Sequence, residues 1–140
     1  MKASLIAGDI PALGFALRHD EMVVPLFYTP EGEEQFRVFP SNDKTGQKPF
    51  SFAIFSSPDE LEKFLGVNAE LRVYQLMRMD DIVSFLQSNH AVLDRVYFDP
   101  GSTHTISANV DDTLRMFEPR LFDDEWEWSL TGSHLSPKKD

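Results

Sequence analysis

The sequence predicts one α+β domain, of the mixed α/β two-layer type, in which an antiparallel meander precedes interleaved helices and strands. Three observations support this prediction. The chain has 140 residues, which suits a single domain. Its hydrophobic content of 41%, with twelve phenylalanines, is enough for a core. Along the chain, some apolar stretches have the periodicity of a helix and others that of a strand. Helix-start signals and turn residues separate these stretches.

The first fifty-five or so positions predict one helix followed by three strands. Asp9 and Pro11 are typical of a helix start. The inner face of this helix is predicted to carry Leu13, Phe15, Ala16 and Leu17, and the helix is predicted to end near His19. Strands are predicted over 22–28, 35–39 and 50–55, the first two as a hairpin across a turn at 29–32. Pro25 favours an edge strand or a bulge, because proline cannot donate to a ladder.

A strong helix signal begins at Ser57. Its hydroxyl is suited to capping, Pro58 suits the first helical position, and Glu60 is placed to close a capping box. The predicted buried stripe is formed by Leu61, Phe64 and Leu65, and Gly66 is the predicted end of the helix.

Strands and helices alternate in the remainder of the predicted domain. Further strands are predicted over 71–77, 95–98 and 104–107. One helix opens at Asp80 and Asp81 and turns Ile82, Val83, Phe85 and Leu86 inward, and a last helix is capped by Asn109 and ends before Pro119. Residues 1–119 therefore form the predicted domain. Residues 120–140 have no clear period and are predicted to be an acidic, Trp-containing C-terminal arm.

The loop after the fifth predicted strand is the first candidate site. Asp99, Pro100, Gly101 and Ser102 are typical of a tight turn, with Asp99 accepting a local bond and Gly101 supplying a positive φ. A lone glycine without a following lysine argues against a phosphate-binding loop. Ser102 and His104 lack the elbow motif of a Ser-His-Asp hydrolase, although a small-ligand binder or enzyme using Asp99, Ser102 and His104 stays open as an alternative.

The arm is the second candidate site. Trp126 and Trp128 alternate with Glu125 and Glu127, so in an extended segment the indoles lie on one side and the acids on the other. Trp is a preferred interface anchor, and the acids would attract a basic partner. The alternative is that the Trp pair packs back on its own domain.

The composition of the chain argues against several classes of function. A net charge of −10 argues against binding to nucleic acids or anionic membranes and suits a basic protein partner. The chain has no cysteine, so no thiolate metal site is expected, and its histidines are scattered without a metal-binding spacing. No cofactor or metal is predicted. The amino-terminal residues contain no signal peptide or membrane span, which favours a cytoplasmic protein.

Three stretches carry a family resemblance: the VPL of 24–26 followed by the FRVF of 36–39, the FSSPDELEKF of 55–64, and the VYFDPGS of 96–102. In this order they resemble the SseB N-terminal domain family. Asp99 stands where the family usually has Asn, and residues 42–49 lengthen one connection. The resemblance covers about two thirds of the chain and implies a small α/β domain without established catalytic residues.

The sequence therefore predicts a non-enzymatic bacterial protein–protein interaction module of the SseB N-terminal type. An immunity-type protein that neutralises a basic toxin through the acidic arm is the alternative. The oligomeric state is not predicted by any of these patterns.

Overall fold

The computed structural model describes residues 1–66, 74–118, 128–131 and 134–137. Its helices are α1 (Lys2–Ala7), α2 (Ile10–His19), α3 (Pro58–Leu65), α4 (Met79–Ser88) and α5 (Val110–Met116). Its strands are β1 (Met22–Tyr28), β2 (Glu34–Phe36), β3 (Phe39–Pro40), β4 (Phe50–Ile54), β5 (Tyr74–Met77), β6 (Leu93–Phe98), β7 (Ile106–Asn109), β8 (Trp128–Thr131) and β9 (His134–Pro137). The predicted α+β class is confirmed.

The strands form two sheets. A three-stranded antiparallel sheet has the order β2-β1-β5, and a six-stranded mixed sheet has the order β3-β4-β6-β7-β9-β8. Within the larger sheet β4 and β6 are parallel neighbours, with Ile54 opposite Phe98. The carboxyl ends of these two strands consequently lie side by side. An antiparallel bridge between Val23 and Phe55 joins the two sheets.

The main core lies between the sheets and the helices α2, α4 and α5. Its largest fully buried side chains include Phe52, Phe98 and Leu86. A smaller cluster beneath α3 contains Val23, Ala53, Phe55 and Leu61. The described helices are too short or too polar for any of them to span a bilayer.

Three predicted helix caps are confirmed. The Asp9 carboxylate accepts from Ala12 N, the Ser57 hydroxyl from Glu60 N, and the Asn109 side chain from Asp112 N. Each cap satisfies a main-chain donor that has no intrahelical partner, so the residue type alone locates the start of the helix.

Pro25 lies inside β1, between β2 and β5, so the predicted edge position is wrong. The backbone groups of Val23 face β4, and the carbonyl of Pro25 accepts from Arg37 N on the same side. The register of β1 with β2 places Pro25 opposite Arg37, one residue beyond the end of β2. The N–H that proline lacks would point to Arg37, so this pair keeps one hydrogen bond instead of two, at the end of the β1–β2 ladder.

The structure departs from the sequence prediction in several elements. Helix α1 was not predicted, and Phe15 is 58% exposed although it was expected on the inner face of α2. The single strand expected at 35–39 is divided into β2 and β3, which belong to different sheets. Strand β7 begins at Ile106, so His104 belongs to the preceding turn. Residues 71–73 of the predicted fourth strand lie outside the described part of the chain.

The C-terminal segment contains a hairpin where the sequence predicts an arm without a period. Strands β8 and β9 are antiparallel, and β9 adds to the six-stranded sheet beside β7 through Ser107 and His134. Part of the predicted arm is therefore an extension of the sheet.

Replacing Phe52 by Ala should lower the free energy of unfolding by about 3–5 kcal/mol, because it removes a fully buried ring and leaves a cavity. Phe15→Ala is the matched control, since its ring is largely exposed, and should change stability by less than about 1 kcal/mol. Urea unfolding measures both. Equal losses for the two variants would contradict the assignment of Phe52 to the core.

Candidate functional site

The turn after β6 has the backbone that the sequence predicts. Ser102 N donates to the Asp99 carbonyl at 3.2 Å, and Gly101 has a φ of 83°. Asp99 itself has a φ of 47°, a left-handed conformation that Asp and Asn adopt more readily than other residues with a side chain. A Cβ on Gly101 would lie 3.3 Å from the ring of Phe64, so space as well as φ favours glycine there.

The Asp99 carboxylate is fully buried and bonded across the fold. One oxygen accepts from Ser56 N at 2.6 Å, and the other accepts from the Ser56 hydroxyl at 2.5 Å and from His104 Nε2 at 2.8 Å. The predicted local bond of Asp99 is thus wrong, because the carboxylate turns inward to satisfy buried donors from β4 and from its own turn. It joins the carboxyl ends of the parallel strands β4 and β6.

Glu60 is the second buried carboxylate of this region. It lies in the first turn of α3 and forms ion pairs with Lys2 at 3.0 Å and with Lys63 at 3.5 Å. The predicted capping-box role of Glu60 is wrong, since its carboxylate faces α1. Oxygen or nitrogen ligand atoms of Glu60, Asp99 and His104 all lie within 4.8 Å of one another.

Electrostatics couples Glu60 to α1. The hydrogen bond from Lys2 and its charge lower the pKa of the Glu60 carboxyl, with burial acting in the opposite direction. The same contact raises the pKa of the Lys2 ammonium group. Lys2 is half exposed while Glu60 is buried, so the ion pair lies at the border between core and solvent.

A cleft of about 700 Å³ opens beside these residues. Its walls are α1, the first turn of α3 and the turn at 101–106, and it is lined by Lys2, Glu60, Lys63, Ser102 and His104 among others. Ligands of α/β proteins commonly bind outside the carboxyl ends of neighbouring parallel strands, which is where this cleft lies.

The structure brings Asp99 and His104 together but does not assemble a Ser-His-Asp triad from the three predicted residues. The Ser102 hydroxyl donates to the Asp99 carbonyl at 2.6 Å, so its proton is directed away from His104. Asp99 lies between Ser56 and His104, whereas a triad needs the histidine between the serine and the acid. The arrangement can hold a proton or a cation, with two carboxylates and an imidazole as ligands.

Ser56, Glu60 and Lys2 were not predicted as site residues. The contacts that bring them together cross the fold, as in the pairs Ser56–Asp99 and Lys2–Glu60, so no local spacing indicates them. The only sequence signal is the strong helix start at Ser57, which places Ser56 and Glu60 on either side of one rigid cap.

A second surface is formed by β5, the outer strand of the three-stranded sheet among the described residues. All of β5 is exposed or only half-buried, and Tyr74 and Leu76 are 42% and 51% exposed. Tyr74 lies opposite Pro25, and Leu76 lies opposite Val23, so both side chains lie on the same face as Phe27, which is also exposed. Three large exposed apolar side chains therefore lie on one face of the sheet, around Val23 and Pro25, which are buried on that face.

The residues predicted for the arm are only partly described. Glu125, Trp126 and Glu127 lie outside the described residues, and Trp128 is the first residue of β8, opposite Pro137. The predicted contact of the arm with a partner therefore stays a prediction.

No protein-family model matches this sequence, and no curated protein and no solved structure is significantly similar to it.

Asp99→Asn should lower the free energy of unfolding by roughly 2 kcal/mol, because Asn keeps the left-handed backbone but cannot accept from all three donors. Asp111→Asn is the matched control, since Asp111 and His90 form an exposed pair at 2.6 Å, and should cost less than about 1 kcal/mol. Chemical denaturation of both variants tests this. If Asp99→Asn left the free energy of unfolding unchanged, the buried hydrogen bonds of Asp99 would contribute little to stability.

Lys2→Ala should destabilise the fold in a pH-dependent way. In the folded chain the pKa of Glu60 is lowered, so the pair stabilises above the ordinary carboxyl pKa of about 4.3 and is lost as pH falls through the lower folded value. The stability gap between wild type and Lys2→Ala should thus be widest near neutrality and close in acid. It should also close in alkali, above about pH 10.4, as the raised pKa of Lys2 is passed.

Unfolding by urea across this pH range measures the gap. Lys44→Ala, which removes an exposed lysine of the polar loop before β4, is the control, and its stability difference from wild type should not change with pH. A stability difference for Lys2→Ala that is equally independent of pH would contradict the ion pair.

Proposed function

We propose that this protein is a non-enzymatic protein–protein interaction module that binds an extended partner segment as an added strand along β5. The proposal rests on one observation: β5 is the outer strand of its sheet among the described residues and has an exposed apolar side. Unpaired strand edges accept strands from other chains readily.

The backbone of β5 offers a specific set of groups for this pairing. Val23, Pro25 and Phe27 direct their backbone groups towards β4 or β2, so the alternating residues Met22 and Val24 face β5. Their partners Met77 and Gln75 accordingly form the ladder with β1. The N–H and C=O groups of Tyr74 and Leu76 point outward, away from β1.

The side chains favour a partner that is apolar and basic. Tyr74, Leu76 and Phe27 would pack against alternate apolar residues of an added strand. Exposed acids follow at the tip of the β1–β2 hairpin, where Glu31, Glu33 and Glu34 are all exposed. With a net charge of −10, the chain as a whole would attract a basic segment as well.

Two features of the sequence agree with this proposal. The resemblance to the SseB N-terminal domain family implies a domain without established catalytic residues. A chain without cysteine suits a reducing compartment, so a cytoplasmic location goes with the proposed function. The Ser102 contact with the Asp99 carbonyl removes the main support for a hydrolase.

A fluorescent peptide of alternating lysine and valine should bind the protein, and its anisotropy gives the Kd. Tyr74→Ser should weaken binding about tenfold, equivalent to about 1.4 kcal/mol, by removing an apolar contact. Leu76→Pro should abolish it, because proline removes an outward N–H while leaving the ladder with β1 intact.

Val92→Ser is the matched control, because Val92 is an exposed apolar residue outside β5. It should bind the peptide like wild type, and a peptide of alternating glutamate and valine should bind none of the proteins. Full binding by Leu76→Pro, with its fold verified by circular dichroism, would rule out strand addition at β5.

A further inference from the structure

We propose that Glu60, Asp99 and His104 form a binding site for a divalent transition-metal ion of the zinc class, beside the cleft that α1 borders. The site is separate from β5 and uses none of its groups. It supplies two carboxylate oxygens and one imidazole nitrogen, a ligand set that such ions accept.

The distances are suited to a single ion. His104 Nε2 and Asp99 Oδ2 are 2.8 Å apart, and a ligand atom of Glu60 lies within 4.8 Å of both. Two ligands of one tetrahedral zinc, each about 2 Å from the ion, stand roughly 3.3 Å apart. Small rotations of the Glu60 and His104 side chains therefore bring all three ligands into range.

The ion would replace a proton. In the structure a hydrogen bond joins His104 Nε2 to Asp99, and a metal bound to both atoms would take the place of the proton between them. Binding would thus release the Nε2 proton.

The surroundings hold one ligand in place. The Ser56 main-chain N–H and hydroxyl both donate to the Asp99 carboxylate, which fixes its orientation in the way that outer partners orient metal ligands. Glu60 and His104 line the cleft, so a fourth ligand, such as water or a small anion, would reach the ion from there.

Lys2 would compete with the metal. Its ammonium group lies 3.0 Å from Glu60 Oε1 and already neutralises this carboxylate. Because Lys2 is half exposed at the start of α1, it can leave for solvent without disturbing the core. An ion that binds must displace it, so Lys2 lowers the apparent affinity for metal.

Titration of the full chain with Co²⁺ tests the proposal, since the absorption of bound cobalt reports its coordination. Wild type should develop bands of a four-coordinate site, and Zn²⁺ should abolish them. His104→Gln and Glu60→Gln should each weaken Co²⁺ binding at least tenfold. Lys2→Ala should bind Co²⁺ severalfold more tightly than wild type.

His90→Gln is the matched control, because His90 also pairs with a carboxylate, Asp111, but in an exposed position. It should leave cobalt binding unchanged. Absence of cobalt bands in both wild type and Lys2→Ala would overturn the proposal. So would cobalt binding that His90→Gln abolishes and His104→Gln leaves intact. Lys2→Ala keeps the test valid even where substitutions of the buried ligands impair folding.

Discussion

The hydrogen bonds of the buried Asp99 carboxylate are the constraint on which the rest of this region depends. An ionised group without partners inside a protein is strongly destabilising, so the chain must bring donors to it. Ser56 supplies two, from the end of β4, and His104 supplies a third from the turn after β6. The positive φ of Asp99 is the backbone conformation in which the carboxylate reaches them. The ends of two parallel strands are thereby held in register.

This arrangement determines where α3 and α1 lie. Ser56 is followed at once by the N-cap Ser57, so the bond to Asp99 also fixes the start of α3. Glu60 is then placed, one turn into the helix, beside His104 and Asp99. A second buried carboxylate near the first would be repulsive without a cation, and Lys2 of α1 provides one. The cleft is the space left between α1, α3 and the turn at 101–106.

The sequence predicts the local parts of this structure well. Each helix cap, at Asp9, Ser57 and Asn109, depends on residues within four positions, and so does the turn at Gly101. These features can therefore be predicted from the sequence. Glu60 shows the limit: its spacing from Ser57 fits a capping box, but Lys2, far away in sequence, attracts it instead. The division of 35–39 between two sheets, and the bond from Ser56 to Asp99, likewise follow from contacts of the fold rather than from local pattern. Only the existence of the turn at Asp99 was predictable, not the direction of its carboxylate.

Strand β1 connects the two proposed binding regions while keeping them chemically independent. On one side Val23 bridges to Phe55, the residue before Ser56, and on the other side Met22 and Val24 pair with β5. A strand added to β5 would lie on the far side of β5 from this bridge and would use backbone groups of Tyr74 and Leu76 alone. A metal at Glu60, Asp99 and His104 would use side chains only. Because neither event consumes a group that the other requires, peptide binding and metal binding can be lost separately, and each can therefore be assigned to its own residues.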